Sequence, residues 1–569
     1  MKRPLLLFLA VAVGIGGFLY TRSHKEPAPP AVSIDSEPAP APDVLIGATL
    51  LDGLGNYRFP VTSTKPEVQR WFDQGLMLTY GFNHDAAERS FLRATELDPE
   101  CAMCWWGASL VLGPHVNSGM DPANNAAAWE RLQKAVSFAS KTTPREQAFI
   151  HALEARYAEK APEDRKALDA AYADATGKLA AQFPDDVDAA TFHAEALMDL
   201  QPWDYYDEKL RPKGGTKEIV ATLESVIKRN PDHAGALHLY VHAVEASADP
   251  SKGAAAADHL RTLIPGSGHL VHMPAHIYSR VGRWHDAVLA NQIAIKADDA
   301  YLAICKGKTK GLYPLGYVPH NHHFLWFAAS MEGTNTLAKE AALHTAEKTN
   351  IPDLMRQPGF AGLQHYWMTP WFYRVRFGRW DEISGQPNPA PDLPYVTAIW
   401  HYAQGMAALR TNKADQAAKH LEELAKLAAD PAMEKLTVWD RYSLSHAVKI
   451  AELTLSAEIA ASKGDKDAAI ASMQKAVAIE DKIPYDEPPG WHAPTRHALG
   501  AFLLDAGKPV DAEKVYREEL LRNPENGWSL FGLSQSLHAQ QRDADAAEVD
   551  KRFVAAWKNA DIKLTASKL

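Results

Sequence analysis

The sequence predicts an all-α protein in which helix-turn-helix hairpins stack side by side into a repeat solenoid, behind an N-terminal hydrophobic anchor or signal segment. Three observations predict it. The 569 residues are 46% hydrophobic and 23% charged, a globular balance that excludes a mainly disordered or fibrous chain. Strand-like patterning is confined to a short piece around Val44–Val61. Beyond it, small and aromatic residues recur in one register with a period of about 34 residues, the mark of a helical repeat.

Lys2 and Arg3 precede an uncharged, mostly apolar run from Pro4 to Tyr20, which Arg22, His24 and Lys25 end abruptly. Residues 1–25 therefore read as a targeting segment, and the lack of a prompt Ala-x-Ala site favours an uncleaved anchor over a removed signal peptide. This places the folded part outside the cytoplasm, in the periplasm, tethered to the inner membrane by residues 4–20. Residues 26–66 form a Pro/Ala-rich linker and short lead-in.

The register begins at Val68 with Trp71, Gly75, Ala87, Phe91, Ala94 and Pro99. Small residues let two antiparallel helices approach closely, and the aromatics fill the space beside them. Later copies carry Ala287, Ala417, Gly464 with Ala469 and Ala476, and Gly500 with Gly507, Ala512, Tyr516 and Pro524. This skeleton resembles the tetratricopeptide repeat, over about residues 67–557. Passages such as DPECAMCWWG, HMPAHIYSRVGRW and YPLGYVPHNHHFLWFAA also resemble a bacterial group of large tetratricopeptide-repeat proteins; that likeness implies the fold and no particular chemistry. Residues 201–215 and 301–318 interrupt the period, and insertions in solenoids fall in loops that often cover a binding face. The Pro-rich stretch 381–397 divides a first array (67–380) from a second (398–569).

Histidine is the unusual residue, with 24 His against 3 Cys. Ala275 and Ala287 set a repeat starting at Gly268, the preceding one starts at Ala234, and a third is framed from Pro319. Repeat position 5 is then His238, His272 and His323; position 9 is His242, His276 and Phe327; position 2 is Gly235, His269 and His320. Random placement would fill about 0.4 of these nine slots with His. Seven are filled, and five of six remain when the third frame is dropped. Positions 2, 5 and 9 form one stripe on the first helix of each repeat. Resemblance to the superfamily implies that this stripe lines the concave groove, with Thr191, Glu195, Glu245, His365 and Met368 beside it.

Imidazoles on neighbouring helices can meet at a metal, so the seven histidines are candidate ligands for copper or zinc, with Glu195 or Glu245 as further ligand, partner or proton acceptor. A metal-free polar groove for anionic or aromatic ligands fits the same set, and duplication of one His-bearing repeat would also copy the pattern. The superfamily's carboxylate clamp uses Lys and Asn at positions 5 and 9, which are absent here. Cys101 and Cys104 are followed by Trp105 and Trp106, which excludes haem attachment and leaves a local disulfide or simple packing as the expectation, with a redox or copper-thiolate role as the alternative.

No phosphate-cradling Gly loop, nucleophile elbow or zinc-protease motif occurs, so neither a nucleotide nor a catalytic residue is predicted. A net charge of -10 with no polybasic block excludes nucleic acid as the expected partner. The expected function is a scaffold binding a protein, peptide or small ligand through the His-rich groove. The alternative is a copper- or zinc-dependent metalloenzyme or metal-handling protein using the same cluster.

Overall fold

The computed structural model describes residues 48–569 apart from 307–308 and 358. Residues 1–47, which hold the expected anchor and most of the linker, lie outside the described residues. Among the described residues no helix is long and apolar enough to cross a membrane.

Antiparallel helical hairpins run the length of the described chain. Pro66–Tyr80 packs on His84–Leu97, Ala234–Val244 on Ala254–Leu263, Ser445–Ser462 on Lys466–Glu480, and Gly527–Ala539 on Asp543–Ala556. Polar side chains mark the helix starts: Asn83, Asp465 and Asn526 each accept a backbone N–H from the first turn, and Thr143 and Glu146 form a reciprocal cap.

The small-residue register has a direct steric cause. A Cβ added to Gly75 would meet the Phe91 ring at 2.7 Å, and one added to Gly107 would meet the same ring at 2.5 Å. Phe91 therefore wedges between the first helix of its own hairpin and that of the next, and only glycine on both sides admits it. Tyr516 repeats the arrangement between Gly500 and Gly532, at 2.3 Å and 2.2 Å. Ala87, Ala94, Phe91, Ala512 and Tyr516 are all fully buried, as the register predicts.

Three features differ from expectation. The lead-in forms no strand over its described residues. Having no strand partner, it satisfies its backbone with side chains of the first helix: Leu51 N–H donates to Gln74, Phe59 N–H to Asp73 and Val61 N–H to Gln69. Among the described residues the sheet is a two-stranded one, Thr437–Val438 with Tyr442–Ser443.

Residues 381–397, expected as a linker, are a packed turn. They hold most of helix Trp380–Ile383 and the start of Pro394–Arg410, and the Gln404 amide donates to the carbonyls of Ile383 and Gln386.

The superhelix also closes on itself. Trp284 Nε1–H donates to Pro524 O (2.9 Å), Trp528 Nε1–H to Ser330 O (2.8 Å), and the backbone N–H groups of Asn335 and Thr336 to the Asp561 carboxylate. At the other end, the Tyr80 ring fills the space over Gly235, whose added Cβ would lie 2.5 Å from it. Repeats distant in sequence thus meet across the inside of the coil, and the expected open groove is filled with the chain's own side chains.

Candidate metal centre

Helix Ala234–Val244 starts at His233, whose Nδ1 accepts Ala236 N–H, and it carries His238 and His242 one turn apart on the same face. Helix Gly268–His272 carries His269 and His272. Pro274 then interrupts the helix, lacking an N–H for the preceding turn, and Pro274–Arg280 continues with His276. Helix Val318–Glu332 brings His320. The stripe is divided into two groups of three, His238/His242/His269 and His272/His276/His320, each with one ligand atom per residue within 4.8 Å of the others. Apart from His320, which is half-buried, these rings are buried to 3% exposure or less.

In the first group, His238 Nδ1 lies 2.6 Å from Tyr80 O, and His242 Nδ1 lies 3.0 Å from Glu245 Oε1. A carbonyl and a carboxylate oxygen can only accept, so both rings carry their proton on Nδ1 and present an Nε2 lone pair. Neither Nε2 has a hydrogen-bond partner, nor does either nitrogen of His269.

The second group repeats the logic. His272 Nδ1 lies 2.7 Å from Asn291 Oδ1, and because the Asn291 amide donates to Ala287 O, its oxygen must be the acceptor. His276 Nδ1 lies 2.6 Å from Glu245 Oε2 and also touches Glu487. The Nε2 atoms then converge: His272 to His276 at 2.8 Å and His272 to His320 at 3.0 Å. Metal–imidazole bonds near 2.0–2.1 Å put two ligands about 2.9 Å apart at a right angle and about 3.3 Å apart at a tetrahedral one. The observed spacing matches the right-angle case.

Glu245 joins the groups. It is fully buried, and its two oxygens receive one imidazole from each. Burial alone would raise its pKa, but His276 and His242 outweigh that and hold it down at about 2. Burial likewise opposes charge on His276, while the carboxylates of Glu487 and Glu245 push it up to about 10. One proton on His276 Nε2 could serve its contact with His272, but the same proton leaves the His272–His320 contact and the whole first group unserved. Burial and neighbouring imidazoles hold His238, His269 and His272 well below the ordinary histidine range, so these rings are neutral.

The surroundings are aromatic. Phe82, held at φ 54 in the turn after the first helix, packs its ring 4.5 Å from those of His115 and His238 and 5.5 Å from that of His269. Both expected covering insertions take part: Trp203 stands 5.2 Å from His242, and Tyr317 4.3 Å from His269.

The remaining predicted residues lie apart from the two groups. His323 stacks on Tyr366 at 4.3 Å and Trp326 at 5.4 Å, three residues beyond His320 and deeper in the aromatic packing. His365 pairs with the Tyr395 hydroxyl at 2.6 Å, and Met368 is fully buried in the core. Thr191 turns its hydroxyl back to Val187 O. Glu195 is buried near Arg156; burial raises its pKa to about 7 against the guanidinium's pull. Glu487 was not foreseen, because it arrives from a loop 211 positions after His276 with no local pattern to announce it. Cys101 and Cys104 form a disulfide at the start of helix Ala102–Leu110, and Cys305 is free and buried.

The fold and this interior define a helical-hairpin repeat protein enclosing paired imidazole clusters. One stretch of it, residues 453–482, matches the tetratricopeptide-repeat family model. Solved structures similar to the chain include human IFIT1 as a dimer with m7Gppp-AAAA, at 12% identity, covering 87% of this chain and 91% of that one with a TM-score of 0.31. The Cut9–Hcn1 hetero-tetramer of APC/C is similar at 14% identity over 86% and 88%, TM-score 0.28, and yeast Tom70 at 14% over 87% and 92%, TM-score 0.27. Among curated proteins nothing matches the sequence.

Proposed function

We propose that this is an extracytoplasmic tetratricopeptide-repeat scaffold whose interior binds a pair of transition-metal ions, one at each three-imidazole group. The observation that carries it is the orientation of the rings. In each group Nδ1 hydrogen bonds on two of the three rings, His238 and His242 in one and His272 and His276 in the other, place the Nδ1 proton and direct Nε2 inward, the arrangement by which proteins orient metal-ligating histidines. Neutral imidazoles suit copper or zinc. In the first group lone pairs turned on one another without a cation repel, and in the second a proton on His276 serves only the His272 contact; a divalent ion removes that cost in both. The disulfide and the apolar run Pro4–Tyr20 support a location outside the cytoplasm, with the apolar run as tether. As a repeat scaffold the solenoid also serves protein or peptide partners.

The metalloenzyme reading has one specific point in its favour. Glu487 stands at His276 as a second carboxylate, and it could accept a proton beside the metals. Elemental analysis of protein purified without an affinity tag tests the main reading. Two equivalents are expected in the wild type, one in His238→Ala or in His272→Ala, and none in the double variant. Absence of metal from the wild type after reconstitution with copper and zinc would overturn it.

A further inference from the structure

A second site lies away from the imidazole clusters, where helix Thr369–Arg376 meets the closing end of the solenoid. Arg376 is buried to 6% exposure and lies over the Trp528 ring at 3.8 Å. Its Nη1 and Nη2 both point to one acceptor, His497 Nδ1, each at 3.3 Å. That nitrogen is an acceptor because His497 Nε2 donates to Asn526 Oδ1 (3.1 Å), an oxygen identified by the Asn526 amide's own donation to Asn523 O. A guanidinium has five N–H donors. One lone pair shared at long range leaves most of them unserved, and Nε is buried without any partner.

Arg376 lines a cavity of about 60 Å³ together with Tyr402, Met406, Met473, Trp491, His492 and Lys568. Lys568 is paired with Glu458, but Arg410 shares the same carboxylate. Glu458 also lines the cavity, but both its ion pairs are with these two cations and none is with Arg376. Glu519, the carboxylate that acts on Arg376, is buried and pushed up to about 8, which leaves it mostly neutral near pH 7. His492 adds a buried Nδ1 with no partner. A buried guanidinium lacking its counter-ion is costly, and burial pulls the pKa of Arg376 down to about 9.

We propose that this cavity binds a small carboxylate ligand, with the carboxylate on Arg376 and a short apolar tail against Met406, Met473 and Trp491. The planar fork of arginine matches a carboxylate better than any other side chain does. At roughly 10–15 Å³ of such space per water, the cavity has the capacity of about four to six waters, which suits acetate or propionate and excludes a sugar or nucleotide.

Calorimetric titration of the full chain at fixed ionic strength tests this, with propionate, acetate and inorganic phosphate as probes. The expected result is saturable binding of propionate, weaker binding of acetate and none of phosphate. Arg376→Gln should weaken propionate at least tenfold, Arg376→Lys should fall between, and the exposed-site control Arg356→Gln should match the wild type. Met473→Trp, which fills the cavity and leaves the charges in place, should abolish binding and thereby separate loss of the site from misfolding. No saturable binding by the wild type, phosphate tighter than propionate, or an Arg376→Gln variant that binds like the wild type would each overturn the proposal.

Discussion

Replacing Glu245 by glutamine separates a metal-organising carboxylate from a merely buried one. The side chain keeps its shape but offers one acceptor oxygen where the carboxylate offers two, and both are in use, on His242 Nδ1–H at 3.0 Å and His276 Nδ1–H at 2.6 Å. Whichever imidazole faces the new amide NH2 must turn away or move its proton to Nε2. There the proton occupies the lone pair that would hold the metal. Loss of such an orienting partner typically weakens a metal 10–100-fold, about 1.4–2.8 kcal/mol. Competition with a chelator of known affinity reads this directly: Glu245→Gln should weaken at least one of two bound ions by that factor. Glu218→Gln, a change at an exposed residue next to His193, should weaken neither. If Glu245→Gln held both metals at wild-type affinity, the argument from fixed tautomers would be wrong.

Two further outcomes follow from burial and packing. His84 and His365 are held at about 4, chiefly by burial, against an ordinary value of 6.5. The unfolded chain therefore takes up more protons than the folded one below pH 6.5, and stability falls as pH drops from 6.5 toward 4. At pH 5 each of the two costs about 2 kcal/mol, together a large part of a typical domain's 5–15 kcal/mol. His276, raised to about 10, acts in the opposite sense: its contribution in metal-free protein is complete below 6.5 and is lost as pH rises through 10. Denaturant melts of metal-free protein at pH 7 and pH 5 should show the acid loss, and equal midpoints would refute it. For the packing, Gly107→Ala should cost about 1–3 kcal/mol because its methyl would lie 2.5 Å from Phe91, while Gly119→Ala, with nothing within 4 Å, should be near neutral in the same melts.

The repeat was legible because its packing rule is local. Phe91 needs Gly75 behind it and Gly107 ahead, and Tyr516 needs Gly500 and Gly532, so the sterics print themselves on the sequence at a constant spacing. The histidine stripe was legible for the same reason, and six of its seven members meet in the two groups. What could not be read was set by the return of the coil on itself. Phe82, Tyr80 and Glu487 reach the clusters from repeats far away in sequence, and no periodicity records such a meeting. His269 and His272 share one short helix yet join different groups, and that division depends on where the neighbouring helices stand. His323 was misplaced because its frame was set by the histidines themselves; in the fold that part of the helix faces Tyr366 and Trp326.

Anomalous diffraction from crystals of tag-free protein, recorded at the copper and zinc edges, tests the central claim most directly. Two separate peaks are expected, one bounded by the Nε2 atoms of His238 and His242 with a ring nitrogen of His269, the other by the Nε2 atoms of His272, His276 and His320. Peaks confined to histidines outside the two groups, such as the half-buried His401 and His420, or none after soaking with either metal, would contradict it.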